Sequence, residues 1–222
     1  LKMDRDTALL TSIGSSICGA AAVLGAEPVV KSKPYKAAVA VSTVVIFGTL
    51  SMFLYPALYR AGMLNLTTEQ MGLFTGATLH EVAHVVGAGN AMGQAISDPA
   101  IIVKMIRVMM LAPVLVILSI ILARRDSAAG GNSEKRKITI PWFAFLFLAV
   151  IGFNSLHLLP AELVDAINTL DTFLLTMAMT ALGTESSFEK FKKAGARPFL
   201  LAGLLYVWLF FGGYWLVKLI SF

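Results

Sequence analysis

Two stretches of similar sequence, both apolar and both interrupted by glycine, constrain this chain more than any other feature. The first is Gly14-Ser-Ser-Ile-Cys-Gly-Ala-Ala-Ala-Val-Leu-Gly-Ala26, and the second is Gly76-Ala-Thr-Leu-His-Glu-Val-Ala-His-Val-Val-Gly-Ala88. Repeated, glycine-broken hydrophobic segments are the best sequence pointer to the binding site of a membrane transporter. The alternative is that the small residues only allow helices to pack closely.

The composition predicts an all-α membrane protein. The chain is 57% hydrophobic and 14% charged, with a mean hydropathy of +0.78, which leaves too little polar surface for a soluble domain of this size. About seven apolar runs approach the length needed to cross a bilayer. They are residues 8–26, 37–57, 71–89, 100–123, 140–159, 163–182 and 199–220. The runs are continuous rather than alternating, which favours helices over a membrane barrel.

The net charge of +5 is not a nucleic-acid signal, because the basic residues lie in short loops between apolar runs. The positive-inside rule places residues 124–139, a flexible basic linker, and residues 183–198 in the cytoplasm. The loop with Lys31, Lys33 and Lys36 conflicts with this, since three predicted crossings separate it from residues 124–139. Either the rule fails there, or one glycine-broken segment turns back without crossing.

The chain is predicted to be a single transmembrane domain, residues 1–222, from a longer protein. It begins Leu1-Lys2-Met3, which suggests a fragment that lacks helices on its N-terminal side. The only cysteine, Cys18, lies within an apolar run and excludes an internal disulfide.

A break in a membrane helix frees backbone N–H groups, which must find a partner or line a cavity. The start of a half-helix also carries partial positive charge and attracts anions. We therefore expect gaps at Gly14–Ser16 and at Gly76–Thr78, where backbone and hydroxyl donors of Gly14, Ser15, Ser16, Gly76 and Thr78 would bind an anion.

The second stretch also contains His80-Glu81-Val-Ala-His84. On one helix the two histidines would share a face, as in zinc proteases, with Glu81 as general base and Asp98 as a third ligand. The alternative is a polar cluster inside the membrane, in which Glu81 and the two histidines carry protons. In that case no metal is required.

Three further ionisable residues interrupt apolar runs. Lys104 and Arg107 are three residues apart and would share a helix face. They would either neutralise an anion or Glu81, or extend to the membrane surface. Asp171 is either a second carboxylate within the membrane, with a role in proton coupling, or a cap where its helix begins.

Taken together, five motifs resemble the YeiH family of bacterial inner-membrane proteins, which is described as a sulfate exporter family. The motifs are Gly14-Ser-Ser-Ile-Cys-Gly, Val44-Val-Ile-Phe-Gly-Thr, Gly76-Ala-Thr-Leu-His-Glu-Val-Ala, Arg107-Val-Met-Met-Leu-Ala-Pro113 and Leu170-Asp-Thr-Phe-Leu-Leu. The resemblance covers essentially the whole chain. It implies about ten or eleven spans in the complete protein and an inverted-repeat transporter fold with broken helices. The family usually has glutamine where this chain has His84, so its shared function should not depend on a metal held by His80 and His84.

These observations predict a secondary transporter of the bacterial inner membrane. It would export a small inorganic or sulfonate-derived anion, such as sulfate or sulfite, with transport coupled to protons through His80, Glu81, His84 and Asp171. Gly14, Ser15, Ser16, Gly76, Thr78, Lys104 and Arg107 would bind the anion. The expected partners are the anion, protons and the lipid bilayer, with no nucleic acid and no cofactor, and a homo-oligomer is compatible with the sequence. An intramembrane zinc metalloprotease and a membrane scaffold without transport activity are the alternatives.

Overall fold

The computed structural model describes residues 3–128, 142–156, 158–185 and 195–220. The elements found there are all helices, which confirms the predicted all-α class. They are α1 (Arg5–Ser16), α2 (Ala20–Val30), α3 (Pro34–Arg60), α4 (Thr68–Thr78), α5 (Val82–Met92), α6 (Gln94–Met109), α7 (Leu111–Ala128), α8 (Trp142–Ser155), α9 (Ala161–Glu185) and α10 (Ala196–Ile220).

Three helical stretches of the described residues are long and apolar enough to cross a membrane. They are Pro34–Arg60, Gln94–Arg124 (α6 continued by α7) and Ala196–Ile220. The predicted number of seven segments is therefore not confirmed. Most of the predicted linker 124–139 and of the basic stretch 183–198 lies outside the described residues.

Both repeated stretches are broken, at corresponding positions of their alignment. Helix α1 ends before residues 17–19, and α4 ends before residues 79–81. We call these two segments the first tip and the second tip. Gly19 has a positive φ of 72°, and Glu81 has an extended backbone with φ −118° and ψ 156°. The expected gaps at Gly14–Ser16 and Gly76–Thr78 were wrong by three residues, because these small residues continue the helix and the chain leaves helical geometry only after them.

The first broken helix turns back on itself. A Cβ added to Gly14 would lie 2.6 Å from Cγ2 of Val23, although nine residues along a straight helix span about 13 Å. Helices α1 and α2 therefore form an antiparallel first hairpin. The Lys36 ammonium contacts the carboxylates of Asp4 and Asp6 at 2.7 Å each, so α1 and α3 begin side by side. The hydrogen bond from Lys36 lowers the pKa of the Asp4 carboxyl, which keeps this contact charged at neutral pH.

The second broken helix also turns back. A Cβ on Gly72 would lie 3.0 Å from the carbonyl oxygen of Ile96, and one on Gly89 would lie 2.8 Å from Cα of Ser97. On a straight helix Gly72 and Gly89 would be about 25 Å apart, so α4 and α5 form a second hairpin. Its open end lies at the end of α3, where the Arg60 guanidinium donates to the carbonyl of Ala91 at 2.7 Å.

The two hairpins enter from opposite ends of α3. This helix has 27 residues, or about 40 Å, with the open end of the first hairpin at its start and that of the second at its end. The tips meet beside its middle, where Gly48 lies against the ring of His84 and Val44 lies against Gly14. The repeated stretches thus form an opposed, inverted pair of hairpins that each reach the middle of α3.

The other well-packed helices enclose this pair. Helix α6 packs on both arms of the second hairpin, and α7 contributes Leu111, Leu115 and Leu122 to the core of the first. Helix α10 runs alongside α3, where Phe47 stacks on Tyr206 with ring centroids 5.5 Å apart. The outer face of α10 is apolar and exposed, as a lipid-facing surface is.

The path of the chain explains why the basic loop at residues 31–36 conflicted with the positive-inside rule. Helix α6 begins at the open end of the second hairpin, and α7 runs along α2 toward the open end of the first. Only two crossings, α3 and α6–α7, therefore separate Lys31, Lys33 and Lys36 from the end of α7. The second explanation fits this path, because the glycine-broken segment at residues 71–89 turns back and removes one of the three predicted crossings.

Candidate functional site

The two tips contact each other directly through Gly19 and Glu81. The backbone N–H of Ala20, the first residue of α2, donates to Oε1 of Glu81 at 3.1 Å. A Cβ on Gly19 would collide with Cγ of Glu81, and the positive φ of Gly19 favours glycine independently. The Glu81 carboxylate thus lies at the positive end of α2.

Lys104 of α6 is fully buried and holds the two tips together. Its ammonium donates to the carbonyls of Ile17 at 2.9 Å, Leu79 at 2.8 Å and His80 at 2.5 Å, which uses all three of its N–H donors. The last carbonyls of a helix lack partners and carry partial negative charge. Lys104 therefore stabilises the ends of α1 and α4 together.

Arg107, one turn along α6, binds the same two helix ends. One guanidinium nitrogen donates to Leu79 at 2.9 Å and to Gly76 at 3.4 Å. The other donates to Ser16 at 2.9 Å and to Ser15 at 3.4 Å. The predicted shared face of Lys104 and Arg107 is present, and both side chains point to the tips rather than to a membrane surface.

Glu81 and His84 form a buried pair without a direct hydrogen bond. Oε2 of Glu81 lies 3.9 Å from Nδ1 of His84, beyond hydrogen-bond range, and neither atom has a hydrogen-bond partner among the described residues. Nε2 of His84 lies 3.3 Å from the Thr49 hydroxyl. His80 is buried as well, and its Nδ1 has no hydrogen-bond partner in the parts of the chain that the structure describes. The site thus contains three buried titratable side chains, Glu81, His84 and His80.

The expectation that His80 and His84 share a helix face is wrong. Helix α5 begins at Val82, so His80 lies in the non-helical tip and lacks the spacing of one helical turn. Asp98, the expected third ligand, is exposed and accepts a hydrogen bond from Gln94. In the described parts of the chain no group of three or more His, Cys, Asp or Glu residues could hold a metal, so the geometry required by a zinc protease is not present there.

Four of the residues predicted to bind the anion lie at the carbonyl ends of α1 and α4: Gly14, Ser15, Ser16 and Gly76. Gly14 and Gly76 allow close packing, since a Cβ on Gly76 would collide with the carbonyl of Ala100. Ser15 and Ser16 offer their carbonyls to Arg107, and the buried Ser15 hydroxyl has no hydrogen-bond partner within the described part of the chain. The N–H groups that a helix leaves without intrahelical partners belong to the starts of α2 and α5, on the other side of each tip.

The last two of the predicted site residues are Thr78 and Asp171. The Thr78 hydroxyl donates to the carbonyl of Phe74 at 2.6 Å and contacts the Tyr55 hydroxyl at 2.9 Å. Asp171 is exposed in the middle of α9, and none of the described ion pairs joins it to the tips. Its role in proton coupling stays a prediction.

Several residues of the site carried no assigned role in the sequence. Gly19 and Ala20 bring α2 to Glu81, while Gly48 and Thr49 hold the ring of His84. The alignment of the two stretches contains the available signal, since Gly19 is the position that corresponds to Glu81. Gly19 and Glu81 are aligned with each other and meet where the two inverted hairpins touch, so the alignment marks both as candidate site residues.

A cleft of about 360 Å³ opens beside the first tip. It is lined by Ser12, Ile13, Ser16, Ile17, Arg107, Met110 and Val114. Arg107 is the only charged residue among these lining residues, so the cleft leads to its guanidinium and to the edge of the first tip.

The fold and the site together define the class: a helical membrane protein in which two opposed hairpins bring buried ionisable groups to a shared centre. The chain belongs to the family described as Conserved hypothetical protein 698, whose model matches residues 1–202. It is 69% identical over its whole length to a UPF0324 membrane protein of Bacteroides thetaiotaomicron, 66% of which is covered.

Two further relatives support the same assignment. The chain is 54% identical over 99% of its length to a UPF0324 membrane protein of Bordetella bronchiseptica, covering 68% of that protein. It is 54% identical over 95% of its length to the UPF0324 inner membrane protein YeiH of Escherichia coli K12, covering 60%. The resemblance to the YeiH family and the inner-membrane location are thereby confirmed.

The chain spans about two thirds of the length of these relatives. No solved structure matches it.

Proposed function

We propose that this chain forms the binding centre of a secondary transporter that exports a small inorganic or sulfonate-derived anion, such as sulfate or sulfite. The observation that carries the proposal is the meeting of two opposed hairpins around Lys104, Arg107 and Glu81. Non-helical backbone at membrane depth is tolerated where it is enclosed by protein or lines a cavity. Ionisable residues at that depth mark substrate and ion pathways.

The balance of charge at the tips favours an anion. With Glu81 ionised, Lys104, Arg107 and Glu81 leave one positive charge in excess, and with Glu81 protonated they leave two. Uncompensated charge is costly in a low-dielectric interior, so a mobile anion stabilises the centre. A divalent anion such as sulfate matches the form in which Glu81 carries a proton, and its binding therefore favours protonation of Glu81.

The cleft beside Arg107 supplies the entry. Its lining combines one guanidinium with the serines of α1. The Ser15 hydroxyl, on the same turn of α1 as Ser16, is a buried donor without a hydrogen-bond partner among the described residues, and an oxyanion offers the acceptors that such a donor needs. Arg107 already binds carbonyls at the ends of α1 and α4, so an anion there would act on both hairpins at once.

Proton coupling is assigned to Glu81 with His80 and His84. The charged and titratable groups around Glu81 come from each element packed at the tips: Lys104 and Arg107 of α6, His84 of α5, His80 of the second tip and Cys18 of the first. A proton on Glu81 removes the charge that opposes the incoming anion. Anion binding and proton binding at this centre are thus expected to assist each other.

The test is anion flux in proteoliposomes that contain the protein in its full natural length. Labelled sulfate or sulfite efflux should depend on an imposed pH gradient in the wild type, and Glu81→Gln should abolish that dependence. Glu69→Gln, at the exposed start of α4, is the matched control and should behave as wild type. Unchanged pH dependence in Glu81→Gln would contradict the coupling role, and absence of flux of both anions in the wild type would contradict the transport proposal.

A further inference from the structure

The N-terminal end of α2 already holds a carboxyl oxygen as acceptor, and that acceptor belongs to the protein. Oε1 of Glu81 accepts the N–H of Ala20 at 3.1 Å, and the absence of a Cβ on Gly19 permits the approach. Glu81 itself precedes α5 in sequence. Its side chain thus extends from one hairpin into the end of the other.

The Glu81 carboxylate has few hydrogen-bond partners among the described residues. Its side chain is buried, with 4% of the residue exposed, and Oε2 has no hydrogen-bond partner among the described residues. An ionised carboxylate has about four acceptor sites, and a buried charge is retained at low cost only when these are filled. A permanent structural anion would be expected to have more partners than one backbone N–H.

The features that attract this carboxylate would attract any small oxyanion. The start of α2 contributes its N–H groups and partial positive charge. Lys104 lies next to the site, since it binds the carbonyl of His80, the residue before Glu81. The cleft with Arg107 reaches Ile17 of the first tip, two residues from Gly19.

We propose that Glu81 is a tethered competitor of the transported anion: its carboxylate occupies an oxyanion site at the start of α2 and leaves when substrate binds there. The proposal rests on the proposed function and adds to it the location of the site and the identity of the group that closes it. While Glu81 occupies the site, Ala20 stays paired and the tips stay in contact without substrate. When an oxyanion takes its place, the connection between the two hairpins through Glu81 is released.

The experiment measures sulfate binding to the purified full-length protein by calorimetry at constant ionic strength. Glu81→Ala removes the competitor and should tighten the sulfate dissociation constant about tenfold or more. Glu81→Gln keeps the shape of the side chain and one acceptor oxygen but loses the charge, so it should tighten sulfate binding less than Glu81→Ala does. If the alanine variant does not fold, the glutamine variant still tests the proposal. Glu69→Gln should bind as the wild type does.

The outcomes separate the two proposals. Tighter binding in both Glu81 variants supports the tethered competitor. Wild-type binding accompanied by unchanged or weaker binding in both variants overturns it and leaves the transport proposal intact. A wild-type protein that neither binds nor transports sulfate or sulfite contradicts the transport proposal, and the tethered competitor fails with it.

Discussion

Gly19 is the residue on which the contact between the tips depends most. It combines a positive φ, which costs other residues about 1–2 kcal/mol, with an approach to Glu81 that leaves no room for a Cβ. The same residue therefore determines the turn of the first hairpin and the position of the carboxylate. A methyl group added at Gly19 would therefore disturb both the turn of the first hairpin and the position of the Glu81 carboxylate.

Gly19→Ala should lower the melting temperature of the protein and reduce anion transport, because backbone strain adds to an overpacking cost of about 1–3 kcal/mol. The matched control is Gly62→Ala, which shares a positive φ of 66° but has no atom within 4 Å of the added Cβ. It should show the smaller, strain-only loss and near-normal transport. Equal losses of stability in the two variants would contradict the close approach of the tips.

At the residue scale, the sequence indicated which ionisable side chains lie near the two tips. It did not indicate which groups these side chains contact. The spacing of Lys104 and Arg107 indicated a shared face, and His-Glu-x-x-His indicated buried polar groups. Their partners are mostly backbone carbonyls of the tips, which have no residue-specific signature. The position of the helix start at Val82, which separates His80 from His84, depends on tertiary contacts rather than on a local motif.

At the scale of elements, the repeated stretches identified both broken helices but left their direction open. A broken helix continues or returns according to the backbone angles of about three residues and to the packing that stabilises them. Here the return is fixed by contacts such as Gly14 with Val23 and Lys36 with Asp6. The basic loop at Lys31–Lys36 was the one sequence feature that pointed to a segment turning back.

The return of the first hairpin predicts a cross-link in membranes. In a Cys18→Ala background, Asp6→Cys with Lys36→Cys should be joined by a short bismaleimide reagent, because these side chains are in contact. Asp6→Cys with Arg60→Cys is the control. It should not react, since Lys36 and Arg60 lie about 36 Å apart along α3. The account of the hairpin would be wrong if the first pair failed to cross-link while both cysteines remained reactive.

At the scale of the whole molecule, composition alone determined the all-α membrane class, because so apolar a chain cannot form a soluble fold. The predicted number of seven segments is not confirmed, since two of the seven runs form hairpins rather than single straight helices. With those two removed, Lys31, Lys33 and the end of α7 lie on one face, as the positive-inside rule requires of cytoplasmic loops. The opposed hairpins then open to opposite sides of the membrane.

Sided labelling of two engineered cysteines tests this central claim most directly. In a Cys18→Ala background, Lys33→Cys marks the open end of the first hairpin and Met63→Cys marks that of the second, and both side chains are exposed. A membrane-impermeant maleimide should reach Lys33→Cys only from the cytoplasmic side and Met63→Cys only from the outer side. Labelling of both positions from the same side would contradict two hairpins that meet from opposite faces around a shared anion site.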